Sequence, residues 1–161
     1  MEIQIREANL NNEQHQQAVV DLLDAYAQIP MILGKPLSAQ VRRDLIPGLQ
    51  QHPTTIILLA FDQDLPIGIA VCFLGFSTFA ARPLVNIHDI AVHPEHRGMG
   101  VGKLLLDSIE VKARQLNCCK VTLEVKENNA RARQIYAAAG YLESCHGVDS
   151  GADLFLSKLL L

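Results

Sequence analysis

The stretch Asn-Ile-His-Asp-Ile-Ala-Val-His-Pro-Glu-His-Arg-Gly-Met-Gly-Val-Gly-Lys, residues 86–103, constrains this chain more than any other. Ile87, Ile90, Ala91 and Val92 form a short apolar, partly β-branched run that Pro94 stops, which predicts a strand. From Val101 onward the apolar residues recur at helical spacing. Between the two elements lie Arg97, Gly98, Met99, Gly100, Val101 and Gly102, with Lys103 next. Glycines let the backbone turn sharply and come close to a ligand, and a helix start leaves N–H groups without partners beside the positive end of the helix dipole. The stretch is therefore a phosphate-binding device. Two familiar versions fail on spacing. A Walker A loop needs Gly-Lys-Ser/Thr, but Gly102-Lys103 is followed by Leu104, and Arg97 stands where its first glycine belongs. A dinucleotide fingerprint needs a glycine where Lys103 stands.

What the residues do match is Arg/Gln-x-x-Gly-x-Gly/Ala, from Arg97 to Gly102, which resembles the acyl-CoA pyrophosphate loop of the GNAT family of N-acetyltransferases. Downstream, Asn129-x-x-Ala132-x-x-x-Tyr136-x-x-x-Gly140-Tyr141 is similar to that family's second signature. The two motifs stand in order, a strand and a helix apart, and span residues 85–142. The resemblance implies acetyl-CoA as the acyl donor, held by Ile90, Ala91 and Val92, by the loop from Arg97 through Gly98, Met99, Gly100, Val101 and Gly102 to Lys103, and by Asn129, Ala132 and Tyr136. It implies direct transfer to a primary amine of a small molecule or peptide. The expected fold is a single α/β (α+β) domain over residues 1–161 with its acyl-CoA core at 85–142. Its mixed, mostly antiparallel sheet of six to seven strands would be flanked by four helices around a parallel strand-helix-strand core.

The length of 161 residues suits one domain with a sizeable core. A composition of 49% hydrophobic and 19% charged residues predicts a globular, soluble chain. The net charge of −3, without a basic cluster, gives no footprint for nucleic acid or an anionic membrane surface, and nothing in it opposes a homodimer. The first residues lack a signal-peptide pattern, so a cytoplasmic location is expected. Cys72, Cys118, Cys119 and Cys145 show no C-x-x-C spacing and read as reduced, buried thiols. His88, His93 and His96 lie on a strand and a turn without helical pairing or cysteine partners, so no metal is expected.

In chain order, an alternating strand over residues 3–6 precedes a helix capped by Asn11 or Asn12 and running to Ala27. Pro30 ends it. The apolar connection 29–36 leads to a second helix, capped by Ser38 and running to Gln50, and reads either as core packing or as a wall of the acceptor pocket, where the family places it. Strands over 54–61 and 67–76 flank a polar turn at 62–66 and should pair antiparallel. The strand bearing His88 and Asp89, the glycine loop and a helix over 99–116 follow. The strand over 120–125 should run parallel to the one before the loop, as the second arm of a right-handed unit. A helix starting near Asn128 or Asn129, a short strand over 141–146 and a last one over 154–160 complete the sheet.

Acetyl transfer to an amine needs a neutral amine, a donor for the oxyanion and a proton for the leaving thiolate. The resemblance implies Tyr136 as the proton donor, although Ala132, Ile135, Tyr136 and Ala139 also read as a helical core stripe. Asn129 is a helix cap by local chemistry and a pantetheine contact by resemblance. For the oxyanion the family uses a backbone N–H at or near Val92. A lysine-like amine is neutral in only about one of 2,500 molecules at pH 7, so a base is needed. His88, Asp89, and a water chain ending at Asp89 or Glu124 are the alternatives. A glutamate common in the family two residues before His88 is replaced here by Asn86. Two other classes stay open: a non-catalytic coenzyme A-binding module, and a ping-pong acyltransferase using Cys145 or Cys118 as nucleophile.

Overall fold

The computed structural model describes residues 2–143 and Lys158. Among the described residues five strands, against the six to seven expected, form one sheet in the order β1 (Ile3–Glu7), β2 (Thr55–Asp62), β3 (Leu65–Ser77), β4 (Arg82–Val92) and β5 (Val121–Leu123). All neighbours are antiparallel except β4 and β5, which run parallel. The helices are α1 (Glu13–Ala27), α2 (Ala39–Gln51), α3 (Val101–Gln115) and α4 (Ala130–Ala138). The fold is thus mixed α/β with a mostly antiparallel sheet. The chain divides into two compact units, Met1–Glu124 and Val125–Leu161.

Capping chemistry sets the helix starts. Asn12 accepts from the N–H of His15 at 3.1 Å, and Ser38 accepts from that of Val41 at 3.2 Å, so each satisfies an orphan donor of its helix. The connection between α1 and α2 is tied at its far end, where the N–H of Leu37 donates to Asp24 at 2.8 Å and Arg42 pairs with Asp24 at 2.9 Å and Asp21 at 3.2 Å. Its Met31, Ile32 and Leu33 side chains are exposed rather than packed over the core.

The turn between β2 and β3 is tighter than the polar 62–66 segment predicts. Gln63, at φ 56, and Asp64 make the whole of it, and Leu65 and Pro66 already belong to β3. A register shift beside Phe61, which lies opposite Pro66, leaves Ile67 as an extra residue in β3 and accommodates the proline's missing N–H.

Within the first unit, two layers of side chains sandwich the sheet. Ile57, Leu59, Phe61, Ile69 and Val71 pack against Ala18, Val19 and Leu22 of α1 and Ile46 of α2. The other face receives α3 through Val101, Leu105, Leu106, Ile109 and Ala113. Gly68 fixes how closely α3 approaches, because an added Cβ would lie 3.1 Å from Cγ1 of Val101 and 3.2 Å from the carbonyl oxygen of Ala91. Of the strand expected over 154–160 only Lys158 is described, and it carries no strand. Of the one expected over 141–146, Tyr141, Leu142 and Glu143 are described and carry no strand. Among the described residues no helix is long and apolar enough to cross a membrane.

Candidate active site

A bulge in β4 shapes the first half of the site. Ile87 lies opposite Cys72 and Asp89 opposite Val71, so His88 is an extra residue without a partner on β3. Side chains on a regular strand alternate, which would put Ile87 and Asp89 on one face; the inserted His88 breaks that relation. Asp89 therefore shares the Val71 face, under α1, while Ile87 stays with Cys72. The Asp89 side chain is 31% exposed. Burial holds its carboxyl above the ordinary value of 3.8, and the neighbouring His88 pulls it back down. Tyr26, in the last turn of α1, has its hydroxyl raised by burial and then by the Asp89 charge, so the two groups are within electrostatic reach.

His88 itself is 64% exposed, with Nε2 at 3.9 Å from the Asp89 carboxylate. Its ring meets Phe73 of β3 edge-on at 5.5 Å between centroids, and Phe73 is met from elsewhere by His52, the residue that ends α2, at 4.9 Å. Sequence reasoning missed Tyr26, Phe73 and His52 as neighbours of His88 and Asp89. Their only signals are an aromatic on a helix, an aromatic in a strand and a lone histidine, and none of these types carries its partner in its spacing.

The second half of the site begins where the sheet parts. β4 and β5 pair only through Val85 with Val121, Asn86 with Thr122 and Ile87 with Leu123. Nδ2 of Asn86 donates to Oγ1 of Thr122 at 3.0 Å and bridges the middle of this pairing. The departure at Asn86 from the family's frequent acid thus places a strand-bridging amide there. From Asp89 to Val92, β4 pairs with β3 alone among the described residues, so one edge of its backbone is open. The Val92 carbonyl accepts from Nε of Arg97 at 3.2 Å, and the N–H of His93 donates to Ile67 at 2.8 Å.

A short 3₁₀ turn, Pro94–His96, then delivers the glycine loop. Gly98 and Gly100 take φ of 79° and 83°, a backbone that side chains strain, and nothing lies within 4 Å of a Cβ on either. Gly100 is the N-cap of α3 and has no side chain to offer it. The first helical bond runs from the N–H of Leu104 to the carbonyl of Gly100 at 3.0 Å. The N–H groups of Val101, Gly102 and Lys103 consequently have no acceptor within the helix and stand at its positive end. The Lys103 ammonium is engaged by Asp107 at 2.5 Å. The donors that this helix start presents are therefore backbone groups. The His93 and His96 rings lie 5.8 Å apart, each with a buried Nδ1 that makes no hydrogen bond among the described residues. Among the described residues no cluster of three His, Cys, Asp or Glu side chains is placed to hold a metal.

In the second unit, the Asn129 to Tyr141 signature is a helix capped at both ends. Asn129 is the N-cap of α4 and accepts from the N–H of Ala132 at 3.2 Å. At the other end Gly140 donates to Ala137 at 3.0 Å and Tyr141 to Tyr136 at 2.9 Å, the pair of bonds of a Schellman cap. The Tyr136 and Tyr141 rings make its accompanying contact at 6.0 Å. Local folding accounts for Asn129, Gly140 and Tyr141, and Tyr136 itself is half-buried. Asn129, Ala132 and Tyr136 are thus grouped along one helix. His88 to Val92 and Arg97 to Lys103 are grouped on β4, its turn and the start of α3.

Of the cysteines, Cys72 is buried, with its thiol pushed up to about 12 by burial and then by Asp89. Cys118 is raised by burial and by Cys119, against a lowering by Arg82. Neither setting favours a thiolate nucleophile. Cys145 lies outside the described residues.

Residues 18–141 match the profile of the acetyltransferase (GNAT) family. A thialysine N-epsilon-acetyltransferase of Bos taurus is 31% identical over 46% of this chain and 43% of its own length. An uncharacterized N-acetyltransferase of Bacillus subtilis, YhfO, is 30% identical over 59% of this chain and 63% of its own. The chain thus spans about half the length of these curated relatives. The crystal structure of a possible acetyltransferase from Clostridium difficile 630 shares the fold, with a TM-score of 0.80 over 98% of each chain at 17% identity.

Proposed function

The chain belongs to the acetyltransferase (GNAT) family, and on that premise we propose that it moves an acetyl group from acetyl-CoA directly to a primary amine. One observation carries the reading: the unpartnered N–H groups of Val101, Gly102 and Lys103 stand just beyond the open edge of β4 at Asp89 to Val92. The pyrophosphate of the donor is assigned to those N–H groups, as the family loop implies, and the thioester to the open edge. There a backbone N–H at or near Val92 serves the oxyanion. We read residues 1–161 as one acetyltransferase domain, cytoplasmic by expectation. An amine acceptor is supported by the relative whose name records N-epsilon acetylation.

Asp89 is assigned the proton of the incoming ammonium. A carboxyl raised by burial holds a proton more readily than a solvated one, and His88 at 3.9 Å stands at the exposed end to pass it to water. The neutral amine attacks the carbonyl carbon, a C–N bond forms, the C–S bond breaks, the thiolate leaves, and the attacking nitrogen sheds its second proton to solvent, which returns one to Tyr136 after it has served the thiolate. Tyr136 is assigned the proton for that thiolate on the second signature alone. Asn129 and Ala132 are assigned to the pantetheine arm on the same basis. The raised thiols of Cys72 and Cys118 favour direct transfer over a cysteine intermediate.

A screen of primary amines with acetyl-CoA, read by thiol release and by the mass of the product, tests this reading. One acetylated amine per thiol released is expected. Tight acetyl-CoA binding with no release on any amine, amino acid or peptide would leave a coenzyme-binding module instead.

A further inference from the structure

His52, Phe73 and His88 come from three elements, the end of α2, the middle of β3 and the bulge of β4, yet form one row of rings at 4.9 and 5.5 Å. The row lies on the α1 and α2 face, because Phe73 packs against that core and His88 packs against Phe73. Asp89 faces the same layer through its register with Val71, at the His88 end of the row. Both histidines are exposed, so the row is open to solvent along its outer side, whereas Asp89 is the more enclosed member. A negative group set at one end of an exposed aromatic strip complements a molecule with a cation at one end and a flat ring at the other. Rings recognise rings through offset or edge contacts, and an ammonium is drawn both to a carboxylate and to a ring face.

We propose that the His52, Phe73 and His88 row is an acceptor subsite, and that the preferred acceptors are protonated amines carrying an aromatic ring two or three carbons from the nitrogen. The inference rests on the acetyl-transfer reading above and deepens it. The nitrogen is seated at Asp89 and the ring against the row. The bulge is what makes this combination available. Without the extra residue, Asp89 would turn to the α3 face and the carboxylate would be separated from the rings. His52 has a further anchor, its Nδ1 lying 3.1 Å from Oγ1 of Thr54, so its ring is held from behind.

The test compares 2-phenylethylamine with n-butylamine as acceptors at saturating acetyl-CoA, in the wild-type chain and in His52→Ala and His52→Phe. A ring contact of this kind is worth about tenfold in kcat/KM, so 2-phenylethylamine is expected to lead by that factor. His52→Ala, at an exposed position beyond the end of α2, should reduce the lead several-fold through KM, and His52→Phe should restore it. A calorimetric titration of 2-phenylethylamine into the chain saturated with coenzyme A should show the same order of affinities. Equal kcat/KM for the two amines, or a lead that His52→Ala leaves intact, overturns the subsite while acetyl transfer stands. Failure of both amines to release thiol overturns the transfer reading together with it.

Discussion

Asp89 illustrates how one inserted residue changes chemistry. Its carboxyl is raised by burial, so the folded chain binds that proton more tightly than the unfolded chain does. A group of this kind contributes stability below its unfolded value, and the contribution is lost as pH rises through the folded value. Asp89→Asn should therefore melt higher than wild type at pH 7, with the difference vanishing toward low pH, where the wild-type carboxyl is protonated. The same substitution should lower the rate of acetyl transfer, because the base is gone. Thermal melts across pH would show no gain if the carboxylate were well solvated. At Gly102 the test is steric. An added Cβ would sit 3.9 Å from Cγ2 of Val92, an ordinary contact in a helical backbone, so Gly102→Ala should fold normally. It should nonetheless weaken acetyl-CoA about tenfold, through lost close approach of the helix start to phosphate. Calorimetry showing unchanged affinity would move the pyrophosphate elsewhere.

Among the elements, α4 separates folding from function with unusual ease. Asn129→Ala should cost the helix start about 1 kcal/mol, whereas Asn129→Ser keeps a capping oxygen and removes only the amide. If Asn129 also touches the pantetheine arm, the serine variant should retain stability and lose coenzyme affinity. Equal affinity in the serine variant and wild type would leave Asn129 as a cap alone. Tyr136→Phe keeps the ring beside Tyr141, so melting and coenzyme affinity should hold while turnover falls. The starts of α1, α2 and α4 were legible in the sequence because caps are local: Asn12, Ser38 and Asn129 each serve an N–H three residues on. The Gln63 turn was misjudged because Pro66 reads as loop chemistry, and only the bulge near Phe61 lets it sit within β3. His88 as the extra residue of β4 was illegible for the same reason, since a bulge is a property of register between strands.

Across the whole chain, the family and the glycine loop were readable because both rest on residues close in sequence. What escaped was whatever depends on long-range packing. Gly68 looks unremarkable between Ile67 and Ile69, yet it sets the approach of α3, and with it the position of the loop. Gly68→Ala should lower the melting temperature by several degrees, and a second-site Val101→Ala should recover part of that loss by removing the methyl it strikes. Likewise His52 and His88, far apart in the chain, meet only through Phe73. The central claim, direct transfer from acetyl-CoA to an amine, is met most directly by rapid quenching with radiolabelled acetyl-CoA. Without acceptor the protein should stay unlabelled, and on adding an amine the label should pass to it as one thiol is released per acetyl moved. A burst of acetylated protein before the amine arrives, or label that never leaves the donor, would contradict the account.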